Sequence, residues 1–462
     1  MSILIYNTLT KKKEEFKPLK PKEVTIYSCG VTVYDDCHIG HARSLYLYDT
    51  FRRYLKYLGY KVKFIRNITD IDDKIIKRAN ELKVSFSDLT KEYITKYYQD
   101  IESLGIAKAD KEPCATMHIK DMVKAISSLI EKGYAYEVDG DVYFKVRKFT
   151  DYGKLSGQSI EAMLEAVRVE LDEKKQDSLD FALWKKSKSG EPEYDSPWSK
   201  GRPGWHIECS VMSTKYLGQT FDIHAGGRDL IFPHHENEIA QAEALTGRPF
   251  ARYWMHNGLL TVSGQKMSKS LGNFITIRDF LSRYSADVLK LFFLTAHYSS
   301  PIDYTDEKIQ IAKKNKEEIE QFLSQYLKGE KVKISKQDKE KIDRVLAEFN
   351  QALADDFNTP KALGFIFEAI NLGSSYRAQD KKGAHDYLRK NLIKLLKIFG
   401  LSLKAEFDES IKKKVKRLAE ERLGARKNRD YKRADELRLE IDKLGFVVVD
   451  TGSNYSIMPK EG

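Results

Sequence analysis

Two short segments of this chain set polar or cationic side chains beside glycines, an arrangement suited to gripping phosphates. In His38-Ile39-Gly40-His41 the two imidazoles fall between a strand and a helix, so both rings and the positive end of the helix dipole can face one anion. Gly264-Gln265-Lys266-Met267-Ser268-Lys269-Ser270-Leu271-Gly272-Asn273 carries two lysines on a small-residue loop bounded by glycines, from which the ammonium groups can swing onto a polyphosphate as mobile point charges. Taken singly, the first motif is also what two surface histidines near a turn look like, and the second is also a solvated face of a basic protein. Each arises by chance in roughly one chain in a thousand or fewer, and their joint presence in this order outweighs those plainer readings.

A second constellation has metal-binding chemistry. Cys29 closes the first strand, Cys209 lies in Gly204-Trp205-His206-Ile207-Glu208-Cys209-Ser210, and His234 and Glu238 are four apart in Pro233-His234-His235-Glu236-Asn237-Glu238. Positions i and i+4 share a helix face, so His234 and Glu238 can grip one ion, and two thiolates with an imidazole and a carboxylate suit zinc. The alternative is that Cys29 and Cys209 are inert buried thiols and Glu238 faces solvent. Peptidase chemistry is excluded, since His235-Glu236 is followed by Ile239 where a second histidine would be needed. The four cysteines lie far apart without a CxxC pair, unlike a secreted disulfide framework; Cys37 and Cys114 read as structural thiols.

The elements that must position these residues follow from periodicity. Val24–Ser28 reads as a buried strand, followed by a Cys29-Gly30 loop, a helix with Leu47, Phe51, Tyr54 and Leu58 on one face, and a second strand at Lys61–Ile68. This β-loop-α-β order begins a doubly wound parallel sheet of Rossmann type, whose ligands sit at the carboxyl ends of the strands. From 110 to 200 the texture changes to a helix, a hairpin around Asp139-Gly140 and the Gly/Pro/Ser-rich Ser187–Pro203, read as an insertion. Strand and helix signals resume at Phe221–His224 and Pro233–Leu245, and apolar segments from Trp254 to Leu294 complete the sheet. Beyond Tyr304 the pattern is that of a helical bundle, with a cap and first-turn proline at Asn358-Thr359-Pro360. A long charged helix at about 409–444, a strand at Phe446–Val449 and a hairpin-like Asp450–Ile457 end the chain as a small mixed α/β unit.

With 462 residues the chain is expected to form two to four domains. No stretch approaches the roughly 18 apolar residues that span a bilayer. Ile3-Leu4-Ile5-Tyr6 is too short for a signal-peptide core, and Lys11–Lys13 follow it instead of preceding it, so no membrane association and a cytoplasmic location are expected. The net charge of +11 fits a polyanionic partner, although lysine-rich composition alone can produce it. Between Ile411 and Arg433 there are 11 Lys or Arg residues against 3 Asp or Glu, which localises the charge.

His38–His41 and Lys266–Ser270 resemble the paired signatures of class I aminoacyl-tRNA synthetases. The stretches Cys29–Arg43, Phe64–Ile75, Gly201–Met212, Asp222–Glu243 and Trp254–Ile277 resemble those of the cysteinyl-tRNA synthetase family, and Leu353–Ala369 and the C-terminal helix do so more loosely. The resemblance implies activation of L-cysteine by ATP to cysteinyl-adenylate and pyrophosphate, then transfer to the 3′-terminal adenosine of tRNA-Cys. By the same resemblance His38, His41, Lys266 and Lys269 are catalytic and hold ATP with Gly227 and Asp229, while Gly30, Thr69 and Trp205 line the amino-acid pocket. It further implies one Zn²⁺ per chain, on Cys29, Cys209, His234 and Glu238, that takes the substrate thiolate, with Mg²⁺ accompanying ATP. Such a site rejects serine by about 10⁴-fold without editing, so no editing domain is expected.

The implied organisation is a catalytic domain at 1–109 and 201–260 interrupted by the insertion at 110–200, a lysine-loop and tRNA stem-contact region at 261–310, a bundle at 311–403 and an anticodon-binding region at 404–462, working as a monomer. In that last region Tyr455 is the candidate for stacking a base, and Arg426, Lys427, Arg429 and Arg433 for holding phosphates. Three departures stand out: Val31 and Ala225 where the family pattern has proline and glycine, and no tryptophan near the end, where Tyr455 is the candidate substitute.

Overall fold

Short apolar strands alternating with amphipathic helices can bury both faces of a sheet only if the helices cover it on either side, and this sets the architecture. The computed structural model describes residues 2–166, 174–324, 333–402, 409–428, 430–444, 446–451 and 454–459. Its central sheet is built from β1 (Glu23–Thr32), which leads into α1 (Ile39–Tyr57), and β2 (Lys61–Thr69). After the insertion come α2 (Trp205–Leu217), β3 (Phe221–Gly227), α3 (Glu236–Thr246) and β4 (Ala251–Asn257), with α4 (Ala286–Leu294) beyond. The strand order is β4-β3-β1-β2 and every pairing is parallel.

Strand β1 is longer than its apolar run suggested. Cys29 and Gly30 lie inside it, not in a loop after it, at a register shift against β2 between Ser28 and Val31. The backbones approach so closely there that a Cβ on Gly30 would lie 1.7 Å from the Asn67 carbonyl oxygen. Glycine therefore permits the bulge, and the bulge re-aims Cys29 at the strand edge. The two departures Val31 and Ala225 are buried in the larger apolar core.

The insertion forms an antiparallel sheet in the order Ala135–Val138, Asp141–Phe144, Phe181–Lys186, Gly201–Pro203. Its first turn has both Asp139 and Gly140 at positive φ, 53° and 89°, the geometry that suits the twist of a two-residue hairpin. The strand Phe181–Lys186 has no counterpart in the sequence reading, because only pairing with its neighbours orders it. Helices Asp306–Ser324, Lys336–Ala354, Thr359–Ala378 and Lys382–Ile398 form the bundle, and Asn358 caps the third by accepting from the Lys361 N–H at 3.0 Å. The long charged helix is in fact two, Glu409–Lys427 and Tyr431–Lys443. The Asp430 carboxylate accepts from the Arg433 N–H at 3.0 Å and starts a new helix where the reading continued the old one. Strands Phe446–Thr451 and Asn454–Pro459 pair antiparallel over a small core of Val415, Leu418, Leu437, Ile441 and Phe446. Among the described residues no helix is long and apolar enough to cross a membrane.

Arg43 ties α1 to the segments after β4. Its fully buried guanidinium donates to the carbonyls of Gly258 (2.7 Å), Leu259 (3.0 Å) and Ser300 (2.6 Å). Arg43→Met leaves these acceptors without a donor and is expected to destabilise the protein by about 3 kcal/mol, read as a lowered midpoint of urea unfolding.

Candidate active site

His38 does not sit loosely in a turn; it caps α1. Its Nδ1 accepts from the N–H groups of Gly40 (3.1 Å) and His41 (3.3 Å), and His41 Nδ1 accepts from the His38 N–H at 3.3 Å. The rings stack 3.7 Å apart. With Nδ1 of both rings engaged as acceptor, the proton of each neutral imidazole resides on Nε2, leaving two N–H donors beside the helix N-terminus. Burial lowers the His38 pKa to about 4 against the opposing pull of Asp35, and burial followed by the charge of His38 holds His41 well below its ordinary value. Gly40 is obligatory, since a Cβ there would lie 2.8 Å from the His38 ring.

The lysine loop is fastened to that cap by its backbone. Ile39 N–H donates to the Ile275 carbonyl (3.1 Å) and Ile277 N–H to the Cys37 carbonyl (2.9 Å), on either side of His38. Phe274 packs edge-on against His38 at 5.2 Å and lies under the Lys269 ammonium at 5.3 Å. Lys269 also pairs with the Asp35 carboxylate. Lys266, on the short strand Gln265–Lys266, is exposed, and Asn273 closes the loop beneath it by accepting from Ser268 N–H (2.8 Å) and donating to the Lys266 carbonyl (3.2 Å). Gly227 ends β3 and exposed Asp229 follows it in a turn, its carboxylate folded where a Gly227 Cβ would lie 2.4 Å away.

On the same strand edge the four candidate ligands converge. One ligand atom from each of Cys29, Cys209, His234 and Glu238 lies within 4.8 Å of the others. The two sulfurs are 3.7 Å apart, Cys29 Sγ is 3.4 Å from Glu238 Oε1, and His234 Nε2 is 3.0 Å from the same oxygen. His234 lies in the irregular turn Ile231–His235 just before α3, so it meets Glu238 from above the helix end. The alternative in which Glu238 faces solvent is overturned, because Glu238 is fully buried, and the two thiols lie together rather than apart. Burial pushes the Cys209 thiol up, but Cys29 and His234 bring it down to about 6; burial also opposes ionisation of Glu238, which His224 and His234 hold well below the usual carboxylate range. Burial, with Cys209 and Glu238 beside it, pushes the Cys29 thiol well up, so the cluster pairs two ligands that ionise readily with one that gives up its proton to a cation, and it fits a soft divalent ion.

Outer groups orient these ligands. His224 Nε2 is 2.8 Å from Glu238 Oε2, and His206 Nδ1 is 2.8 Å from His234 Nδ1. His235, 3.2 Å from Cys29 Sγ, is 2.8 Å from His256. Cys29, His224, His235 and Glu238 form a second possible quartet, but it has one thiolate where the first has two. Trp205 stacks on His234 at 4.0 Å and stays 37% exposed, so one indole face is free. The Thr69 hydroxyl accepts from Asn67 Nδ2 and donates to Glu208, both at 3.1 Å, while Gly30 N–H donates to Asn67 Oδ1 at 2.9 Å.

Sequence reasoning missed His206, His224, His235, His256, Asn67 and Glu208; the signal available was a histidine or carboxylate set in an otherwise apolar run. Cys37 and Cys114 are pushed up by burial to about 12 and about 11, as suits structural thiols. Tyr455 is half-buried against the small C-terminal core. Arg426 and Arg433 are exposed, whereas Arg429 and the Lys427 side chain lie outside the described residues.

Comparison with known proteins adds independent findings. Residues 15–314 match the family described as "tRNA synthetases class I (C) catalytic domain", and residues 348–404 match the "DALR domain". The chain is 49% identical to the cysteine–tRNA ligase of Thermodesulfovibrio yellowstonii over 96% of this chain and 97% of that one. It is 48% identical to the cysteine–tRNA ligase of Aquifex aeolicus over 100% of both. Among solved structures, Mycobacterium tuberculosis methionyl-tRNA synthetase in complex with methionyl-adenylate superposes with a TM-score of 0.64 at 15% identity, covering 86% of this chain and 94% of that one. Agrobacterium radiobacter LeuRS in a ternary complex with tRNA and LeuAMS gives 0.65 at 11% identity, over 83% and 84%. At these identities the structural matches speak for the fold.

Because the His38 pKa is depressed to about 4, its stabilising contribution is present above the unfolded value of about 6.5 and is lost as pH falls from there towards 4. Imidazole NMR should find this ring neutral at pH 6, whereas titration near 6.5 would contradict the capped geometry. Gly30→Ala should displace Cys29 and lower metal content as well as activity.

Proposed function

The chain belongs to the cysteine–tRNA ligases, and from that membership we propose how its own residues carry the reaction. Members of this family join L-cysteine to tRNA with ATP in two steps, adenylate formation and transfer. The convergence of two thiols, an imidazole and a buried carboxylate at the strand edge that also holds the His38–His41 cap carries the reading.

Cys29, Cys209, His234 and Glu238 are read as the holders of one zinc ion, which when bound prefers the thiolate of cysteine to the hydroxyl of serine. Gly30 and Thr69 shape the floor of the amino-acid pocket, and the free face of Trp205 forms its wall. Thr69 contributes position more than a hydrogen bond, because its hydroxyl is already engaged with Asn67 and Glu208. The substrate carboxylate then attacks the α-phosphorus of ATP, which enters with Mg²⁺, and no covalent enzyme nucleophile is needed. His38 and His41 donate from Nε2 to the phosphates as charge develops. Lys269 leaves Asp35 for the departing pyrophosphate, joined by Lys266, so binding exchanges a carboxylate partner for a phosphate one. Gly227 and Asp229 approach the adenosine.

A cavity of about 980 Å³ opens beside Trp205 and His206, lined by Lys185, Lys186 and Arg202 together with Asp72, Asp73, Asp141 and Glu191. It is read as the approach of the 3′ end of tRNA-Cys to the adenylate, with Lys185 and Arg202 held by Asp73. The C-terminal region, with Arg426, Arg433 and Tyr455, is read as the anticodon contact of a monomer working in the cytoplasm. The domain limits proposed from the sequence are retained, although the insertion sheet ends at Pro203.

Pyrophosphate exchange with all twenty amino acids, combined with metal analysis of the same preparation, tests this reading. Cysteine alone should support exchange, with zinc near one per chain. Cys209→Ser should lower bound zinc and cysteine activation together; full activation by the metal-depleted variant removes the metal role. Lys269→Ala should slow adenylate formation about a hundredfold with little change in cysteine affinity, and an unchanged rate contradicts its assignment.

A further inference from the structure

The bulge in β1 interrupts the ladder beside one of the candidate metal ligands. Ser28 pairs with Arg66 and Val31 with Ile68, so Cys29 and Gly30 together face the single residue Asn67. Two residues set against one cannot both keep their place in the ladder. The Gly30 N–H is taken instead by a side chain, donating to Asn67 Oδ1 at 2.9 Å.

An amide side chain can turn over with little change of shape, which exchanges an acceptor for a donor. Turned over, Asn67 would set its amide hydrogens against the Gly30 N–H, donor against donor. The next two bonds oppose this. Asn67 Nδ2 donates to Thr69 Oγ1 at 3.1 Å, and the Thr69 hydroxyl donates its one hydrogen to Glu208 Oε2 at 3.1 Å. Glu208 thus holds the hydrogen that a reversed Asn67 would have to accept. Asn67, Thr69 and Glu208 are 1%, 2% and 0% exposed, so solvent is not at hand to replace a lost partner.

Glu208 comes with a stability cost. Its second oxygen, Oε1, is buried and has no hydrogen-bond partner among the described residues. A buried polar atom left unpaired is unfavourable, and a leucine would fill much the same space without that penalty. What the carboxylate adds is an acceptor at the end of the relay. It is also supplied by α2, one residue before Cys209, whose sulfur lies 3.7 Å from that of Cys29. The relay from Gly30 through Asn67 and Thr69 to Glu208 therefore runs from the backbone beside one cysteine to the backbone beside the other.

We propose that Glu208 is a positioning residue for Cys29: as the fixed acceptor at the end of the relay, it holds Asn67 in the one orientation that receives the Gly30 N–H, and so keeps the bulge that aims Cys29 at Cys209. The inference rests on the reading of these two cysteines as zinc ligands. Groups that orient a ligand from behind govern how well a metal is held.

Zinc affinity is measured by competition with a chromophoric chelator for full-length wild type, Glu208→Leu, Asn67→Ala, the double variant and Glu208→Gln. Glu208→Leu and Asn67→Ala should each weaken zinc binding about tenfold. The double variant should bind no more weakly than the worse single one, since both break the same relay. Glu208→Gln, whose amide oxygen can accept from Thr69, should stay within about threefold of the wild type. Should Glu208→Leu fail to fold, Thr69→Val takes its place and breaks the relay in the middle. Unchanged affinity in the single variants, losses that multiply in the double one, or a Glu208→Gln as weak as Glu208→Leu overturns the inference. A wild-type chain that supports cysteine-dependent pyrophosphate exchange without binding zinc overturns the reading beneath it.

Discussion

Glu238 is a carboxylate wholly removed from water and gripped by His224 on one oxygen and His234 on the other. An unpaired buried carboxylate costs on the order of several kcal/mol, so this ion must be compensated on every side. The fold meets that demand with imidazoles from β3 and from the turn before α3, and with the Cys29 thiol, 3.4 Å from Oε1. Donors therefore meet both carboxylate oxygens, and the thiols and imidazole gathered around it form a set that fits a soft cation.

Each of these groups reaches the cluster by a different backbone device. Cys29 arrives through a bulge that only a glycine at position 30 allows, with Asn67 seated against it. Cys209 comes from one helix that returns from the insertion, and Glu238 from the first turn of another. Parallel strands end at a common edge, and the helices that follow them begin there, so an edge of this kind collects side chains remote in sequence. The His38–His41 cap uses the same edge, where the N-terminus of α1 adds its own partial charge.

The cap and the lysine loop illustrate coupling through the main chain. Backbone hydrogen bonds on both sides of His38 hold the segment that carries Lys269, and Phe274 lies between the imidazole and the ammonium. A shift of the loop is therefore felt at the cap and along α1. That helix also holds the end of the bundle, where the Tyr46 hydroxyl donates to the Phe399 carbonyl at 2.9 Å.

The α/β architecture, the helical bundle and the small C-terminal unit were legible because periodicity and turn chemistry are local properties. The His38–His41 and Lys266–Ser270 motifs were legible because they are written in contiguous residues, and the candidate ligands Cys29, Cys209, His234 and Glu238, which converge in the fold, could be named from residue type and resemblance. Only the tertiary structure decided that Glu238 is buried between two histidines, that Thr69 is already spent on Asn67 and Glu208, that Cys29 sits in a bulge and that the last long helix is two. These depend on which backbone groups are left unpaired and which side chains lose water, and burial is a property of neighbours distant in the chain, which no window of sequence contains.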